Sequence, residues 1–165
     1  MATGLYTSDA IYIQREKVES FIQNREKWAV LIPGYLHHEL LNENNMIWVF
    51  QGDFGIIQKA VKVELQLKPS EPHQVLFDLV GLSDPINGDG SFEIKHQDES
   101  IQLTGSLTMK ASGFLAGMMN PVLEKFVPQL VEQLVSQMAL TVAKVVSFIK
   151  GGEPIIAEGG NGRFL

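Results

Sequence analysis

Residues 101–113, IQLTGSLTMKASG, and residues 121–149, PVLEKFVPQLVEQLVSQMALTVAKVVSFI, decide the fold between them. In the first, Ile101, Leu103, Gly105, Leu107, Met109, Ala111 and Gly113 alternate with Gln102, Thr104, Ser106, Thr108, Lys110 and Ser112. That period of two is the pattern of a strand with one wet and one buried face. In the second, Leu123, Phe126, Val127, Leu130, Leu134, Val135, Met138, Val142, Val145, Val146 and Ile149 recur at helical spacing, with Lys125, Gln129, Glu132, Gln133, Ser136 and Lys144 on the other side. A long strand that hands over directly to a long helix implies a sheet wrapped on one helix. By helical-wheel reckoning the apolar stripe from Leu130 to Ile149 is roughly 160° wide, more than a minimal core face needs. The excess suits a helix that lines a ligand site.

Composition sets the frame. A chain of 165 residues is one domain by length and large enough to bury a core without staples. It has no Cys, which removes thiol nucleophiles, thiolate metal sites and disulfides together and is consistent with a reducing, cytoplasmic setting. A formal charge of −6 opposes nonspecific attraction to phosphate polyanions, so nucleic acid is not an expected partner. Met1 to Asp9 has neither a basic start nor an apolar run, so no signal peptide is expected. The stretch from Phe126 to Ala143 is interrupted by Glu132, several Gln and Pro128, whereas a membrane-spanning helix needs about 20 mostly apolar residues.

Working back from the final strand, the chain reads as a series of short elements. Ala10–Ile13 is a short apolar stretch, and Arg15–Gln23 places Val18, Phe21 and Ile22 on one side of a helix. A second helix is expected from Arg25 to Leu31, stopped near Ile32 because Pro33 disfavours helical geometry in its predecessor. Tyr35–Leu41 reads as a strand that ends in the turn-rich run from Asn42 to Asn45. Met46, Trp48 and Phe50 alternate with Ile47 and Val49, and Val61, Val63, Leu65 and Leu67 alternate with Lys62, Glu64 and Gln66. Val75–Leu82 is a strand, Ser83–Gly90 reads as a loop leading into Phe92 and Ile94, and Gln97–Ser100 is a turn. Five or so adjacent strands with short turns imply an antiparallel meander.

Asn120 followed by Pro121 reads as a helix start, with Asn as the cap and Pro at the first helical position. Pro128 then either kinks the helix or ends a short first segment near Val127. Gly151 and Gly152 close the domain at about residue 150, and residues 151–165 read as a mobile tail.

The order of short strand, two short helices, meander and long C-terminal helix resembles the α+β helix-grip fold of the START-like superfamily. More narrowly, the chain resembles the family of the carbon monoxide dehydrogenase G subunit. The likeness is carried by Arg15-Glu16-Lys17-Val18 with Phe21-Ile22, Trp28-Ala29, Ile32-Pro33-Gly34, Gly88-Asp89-Gly90 with Phe92, and Gly113-Phe114-Leu115-Ala116. It runs from about Ala10 to Ile149. The superfamily resemblance implies a deep apolar cavity between sheet and helix, used for lipids, quinones, sterols or polyketide intermediates. The family resemblance implies an accessory protein of molybdenum hydroxylases, associated with membrane recruitment or maturation. This chain departs from longer members in having no hydrophobic anchor after Lys150, which argues against stable membrane attachment.

Motifs for chemistry are thin. His37-His38-Glu39 lacks the second His of a zincin helix, and on a strand the two histidines point to opposite faces. Asp84, Asn87 and Asp89 have neither the ligand spacing nor the twelfth-position Glu of a calcium loop. Gly88-Asp89-Gly90 leads into a strand and not a helix, so it is no dinucleotide fingerprint. Glu64 and Glu93 fall on the wet face, which leaves Asp78 as the acid to examine first. No catalytic residue, metal ligand or cofactor is assigned.

The expected site is a sheet-helix cavity lined by Trp48, Phe50, Val63, Leu65, Phe77, Leu79, Phe92, Leu107, Met109, Phe114, Met118, Met119, Phe126, Leu130 and Leu134. Thioethers adapt to irregular ligands and aromatic faces hold flat ones. The expected function is noncatalytic binding or carriage of a hydrophobic small molecule, lipid or quinone-like. The expected protein partner is an oxidoreductase subunit, with transient contact to a membrane surface, and no oligomeric state is read from the chain. The alternatives are a cyclase, dehydratase or hydrolase that uses the same cavity, and a maturation or chaperone-like interaction factor.

Overall fold

The computed structural model describes residues 1–54 and 57–151, with side chains of the last helix described as far as Ala143. Seven strands form one antiparallel sheet: β1 (Ala2–Thr7), β2 (Tyr35–Leu40), β3 (Asn45–Phe54), β4 (Ile57–Lys68), β5 (Gln74–Gly81), β6 (Ile86–Gln97) and β7 (Ser100–Ala111). Their spatial order is β1-β7-β6-β5-β4-β3-β2, a meander from β2 to β7 with β1 added at the far edge. Helices α1 (Arg15–Gln23) and α2 (Arg25–Ala29) follow β1, and α3 (Ala116–Gly151) follows β7. This is the helix-grip α+β architecture that the element order implies. The expected mobile tail lies outside the described residues beyond Gly151.

The strand that decides the fold behaves as its alternation predicts. Ile101, Leu103, Leu107, Met109 and Ala111 are buried. On α3, Leu123, Val127, Leu130, Val131, Leu134, Val135, Met138 and Val142 are buried on the side that faces the sheet. α1 has the predicted bounds, with Val18, Phe21 and Ile22 buried. α2 is shorter than expected and ends at Ala29, because the chain is already turning toward Pro33 and Gly34. Gly34 has φ +76°, and a Cβ there would stand 2.3 Å from the Gln51 carbonyl oxygen, so the position admits only glycine without a shift. The hairpin after β2 is closed by the Asn42 side chain, which accepts from the Asn44 and Asn45 backbone N–H groups at 2.9 Å each.

Three expectations need correction. The expected short strand at Ala10–Ile13 is only a bridge between Ile11 and Ile101, while β1 lies earlier, at Ala2–Thr7, and pairs with β7 along its length. The meander from β2 to β7 has six strands, close to the five or so expected, and β1 makes the seventh of the sheet. Ile86–Gly90 is the start of β6 and not loop. At Gly88 an added Cβ would meet the Thr108 carbonyl oxygen at 2.0 Å, so the glycine serves strand packing instead of a turn. Finally, Asn120 does not cap α3.

Its amide instead spans back to the end of β7. Asn120 Oδ1 accepts from the Ala111 N–H at 2.8 Å, and its Nδ2 donates to the Ala111 carbonyl at 3.1 Å. The helix starts earlier, at Ala116, after a reversal at Gly113 with φ +82°. Pro121 and Pro128 both lie inside it, and the helix continues through Pro128 rather than ending near Val127. Its 36 residues give a rod about 54 Å long at about 1.5 Å per residue.

Candidate functional site

The inner face of the sheet and α3 enclose an apolar cavity. β3 contributes Trp48 and Phe50, β5 contributes Phe77 and Leu79, β6 contributes Phe92, and β7 contributes Ser106, Leu107 and Met109. Leu130, Val131 and Leu134 of α3 close it, with Ile32 from the turn after α2. Among the described residues that line it, Ser106 is the single polar one, and none is Asp, Glu, His or Tyr. The free volume is about 20 Å³, room for one water-sized body.

The aromatic side of the wall is braced from behind by Trp28 on α2. Its ring meets Trp48 edge-on at 5.7 Å and Phe92 edge-on at 5.0 Å, and stacks on Phe77 at 6.1 Å. Both indole N–H groups are satisfied away from the cavity. Trp28 Nε1 donates to the Ile22 carbonyl and Trp48 Nε1 to the Ala29 carbonyl, each at 2.9 Å. What remains for an occupant is a hydrocarbon surface with flat aromatic faces.

Of the residues predicted to line the site, Trp48, Phe50, Phe77, Leu79, Phe92, Leu107, Met109, Leu130 and Leu134 come together on this wall. Val63 and Leu65 are buried in the same core but outside the wall, and Met119 packs partly against that core. Phe126 turns instead into a separate groove of about 320 Å³ with Gln51, Gln58, Gln129 and Gln133, which shares Leu130 with the cavity. Phe114 and Met118 are corrections: they are 100% and 69% exposed and stand in solvent around the start of α3. Hydrophobicity next to a helix start does not say which way a side chain points. Ile32, Ser106 and Val131 line the wall without having been expected there. Val131 had a usable signal, since it stands four residues before Val135 on the buried stripe.

The polar candidates lie elsewhere. Asp78 is 45% exposed and pairs with Lys68 at 3.1 Å on the outer face. Glu64 accepts from Asn45 Nδ2 at 2.7 Å, and Asp84 pairs with Lys59 at 3.3 Å. His38 bridges α2 and β2: its Nδ1 is 2.8 Å from the Tyr35 hydroxyl and its Nε2 is 2.9 Å from Glu26 Oε2. A register shift between Tyr35 and His37 brings Tyr35 and His38 to one side of the strand. The neighbouring His37 is exposed. Among the described residues no group of three or more His, Cys, Asp or Glu is placed to hold a metal ion.

Comparison with solved structures gives the same architecture at low identity. A conserved protein from Geobacillus kaustophilus superposes with a TM-score of 0.69 at 18% identity, over 86% of this chain and 94% of its own. A Thermus thermophilus protein also gives 0.69, at 13% identity over 88% and 99% of the two chains. A START superfamily protein from Mycobacterium smegmatis gives 0.53, at 17% identity over 81% and 99%. No curated protein sequence matches the chain significantly. Among the described residues no helix is long and apolar enough to cross a membrane. The family model for the carbon monoxide dehydrogenase G subunit (CoxG) matches residues 8–143. With that match over most of its length and a helix-grip fold around an apolar cavity, the chain belongs to the CoxG family.

Proposed function

We propose that this protein binds and carries a hydrophobic small molecule, lipid or quinone-like, between the sheet and α3, as a noncatalytic accessory to a molybdenum hydroxylase. The observation that carries the reading is the wall itself, apolar among the described residues but for Ser106, with both indole N–H groups turned away. Such a surface rewards burial of hydrocarbon and offers nothing to move a proton. A cyclase or hydrolase would need acids, bases or phenols that converge inside, so the carrier reading is the better supported of the two. The oxidoreductase partner follows from the family description alone.

The free volume is about 20 Å³, so binding a lipid or quinone here requires part of the wall to move outward. Native mass spectrometry of protein purified from its host, followed by solvent extraction, tests the reading. The expected result is a bound apolar species in stoichiometric amount. Protein that emerges empty and takes up neither long-chain quinone nor phospholipid on titration would overturn it. Co-purification with a molybdenum hydroxylase tests the partner separately.

A further inference from the structure

Two grooves border α3, and they stand differently toward the cavity. The larger, about 510 Å³, runs between residues 6–13 and the second half of α3, and it shares no lining residue with the cavity. The smaller, about 320 Å³, shares Leu130. It also adjoins the cavity along the chain. Ile32 lines the cavity while Pro33 and Gly34 line the groove, and Phe50 lines the cavity while Gln51 lines the groove. On α3, Phe126, Gln129 and Gln133 face the groove, whereas Val131 and Leu134 face the cavity. At about 100° per residue, Leu130 falls between those two rows. At that point the partition is a single side chain thick.

We propose that the smaller groove is the entry port of the cavity and that the Leu130 side chain is its gate. The port rests on the carrier reading and gives it a route. On both sides of the gate the backbone is held. Across from Leu130, the Tyr35 N–H donates to the Ile32 carbonyl at 3.1 Å and the Gln51 N–H to the Gly34 carbonyl at 2.7 Å, which ties the turn to β3. Around Leu130 itself, α3 is seated against Gly4 of β1 through Val127 and Val131. With both backbones fixed, a change of rotamer at Leu130 is the least costly motion that joins groove and cavity. The lining suits the passage of an uncharged guest. Gln51, Gln58, Gln129 and Gln133 dominate it, and Asp53 is the single charged residue among the described ones that line it. A neutral amide gives up its water to a passing apolar molecule at far less cost than an ion does.

The test follows diphenylhexatriene, an uncharged hydrocarbon that fluoresces once out of water, as it passes from cyclodextrin into the full-length chain in a stopped-flow instrument. Release is read in the reverse direction. Gln133 is exposed and lines the groove but not the cavity, so Gln133→Phe narrows the port and leaves the seat alone. This variant is expected to slow uptake and release together by about fivefold, with affinity and melting temperature unchanged. Leu130→Ala thins the gate and is expected to speed both rates. Ala143→Phe crowds the larger groove and is expected to change neither. Unaltered rates in Gln133→Phe, or a change in its affinity alone, would overturn the proposal, because the groove would then be no passage or would be part of the seat. So would slowing by Ala143→Phe. These two surface variants decide the matter even if Leu130→Ala fails to fold. Wild type that takes up no diphenylhexatriene would overturn the carrier reading and the port with it, whereas uptake at rates that no variant alters would remove the port alone.

Discussion

Helix α3 meets the two halves of the sheet in different ways. Over β1 and β7 it lies directly on glycine: a Cβ at Gly105 would stand 2.4 Å from Val135 Cγ2, and one at Gly4 would stand 2.9 Å from both the Val127 carbonyl oxygen and Val131 Cγ2. Over β3, β5 and β6 it faces Trp48, Phe50, Phe77 and Phe92, and the cavity opens between them. Small residues bring backbones together and fix the helix, while large ones hold it off and leave a gap that packing does not fill completely. The comparison teaches that a container needs one side fastened so that the other can adapt. In this chain the fastening is made by residues with almost no side chain.

The sharpest way to break the fastened side is Gly105→Val. The new side chain must displace Val135 or lift the helix, and overpacking of this kind costs about 3 kcal/mol. Urea unfolding monitored by circular dichroism measures it, and a loss under about 1 kcal/mol would show that α3 is not seated there. Next in size is Asn120→Ala, which leaves the Ala111 N–H and carbonyl without their partner and is expected to cost about 2 kcal/mol. An unchanged midpoint in the same assay would remove Asn120 from the account of how strand and helix are joined. On the adaptable side, Leu79→Met keeps volume and adds flexibility, so a loss of about 1 kcal/mol or less is expected. A cost as large as that of Gly105→Val would erase the difference between the halves. Smallest of all is Phe114→Ser, expected to shift stability by no more than about 0.5 kcal/mol because the ring is already in water. A larger destabilisation would mean that the ring packs against the protein in solution.

Much of this was legible in the chain. β7 announces itself because apolar residues or glycine alternate with polar ones without a break from Ile101 to Ala111, although Ser106, at a polar place in that alternation, also reaches the cavity; α1 does so because Val18, Phe21 and Ile22 fall on one face. The large cavity residues were legible for the same reason, since Trp48, Phe50, Phe77 and Phe92 hold inward places on alternating strands. β1 was not, because its inward residues include Ala2 and Gly4, whose smallness is what α3 requires and which carry no hydrophobic signal. The first turn of β6 was hidden by Gly88 and Asp89, residues that read as loop unless the neighbouring strand is known to press close. At Asn120 the chemistry was right and the address wrong. An amide that bonds free backbone groups was foreseen, but those groups belong to the preceding strand and not to the helix itself. Phe114 and Met118 show the remaining limit, because apolar character without periodicity does not distinguish an inward residue from an exposed one.

The two indoles have a practical consequence. The chain contains only two Trp residues; Trp48 is on the cavity wall and Trp28 is in ring contact with three of the aromatic rings that form it. Because both N–H groups are tied to backbone carbonyls, the surroundings of the rings change chiefly when something enters or leaves the space beside them. Intrinsic emission, excited without any label, is therefore a direct optical record of occupancy. A brominated or quinoid guest would quench it, a saturated one would shift it, and the time course of either would give the rate at which the container opens.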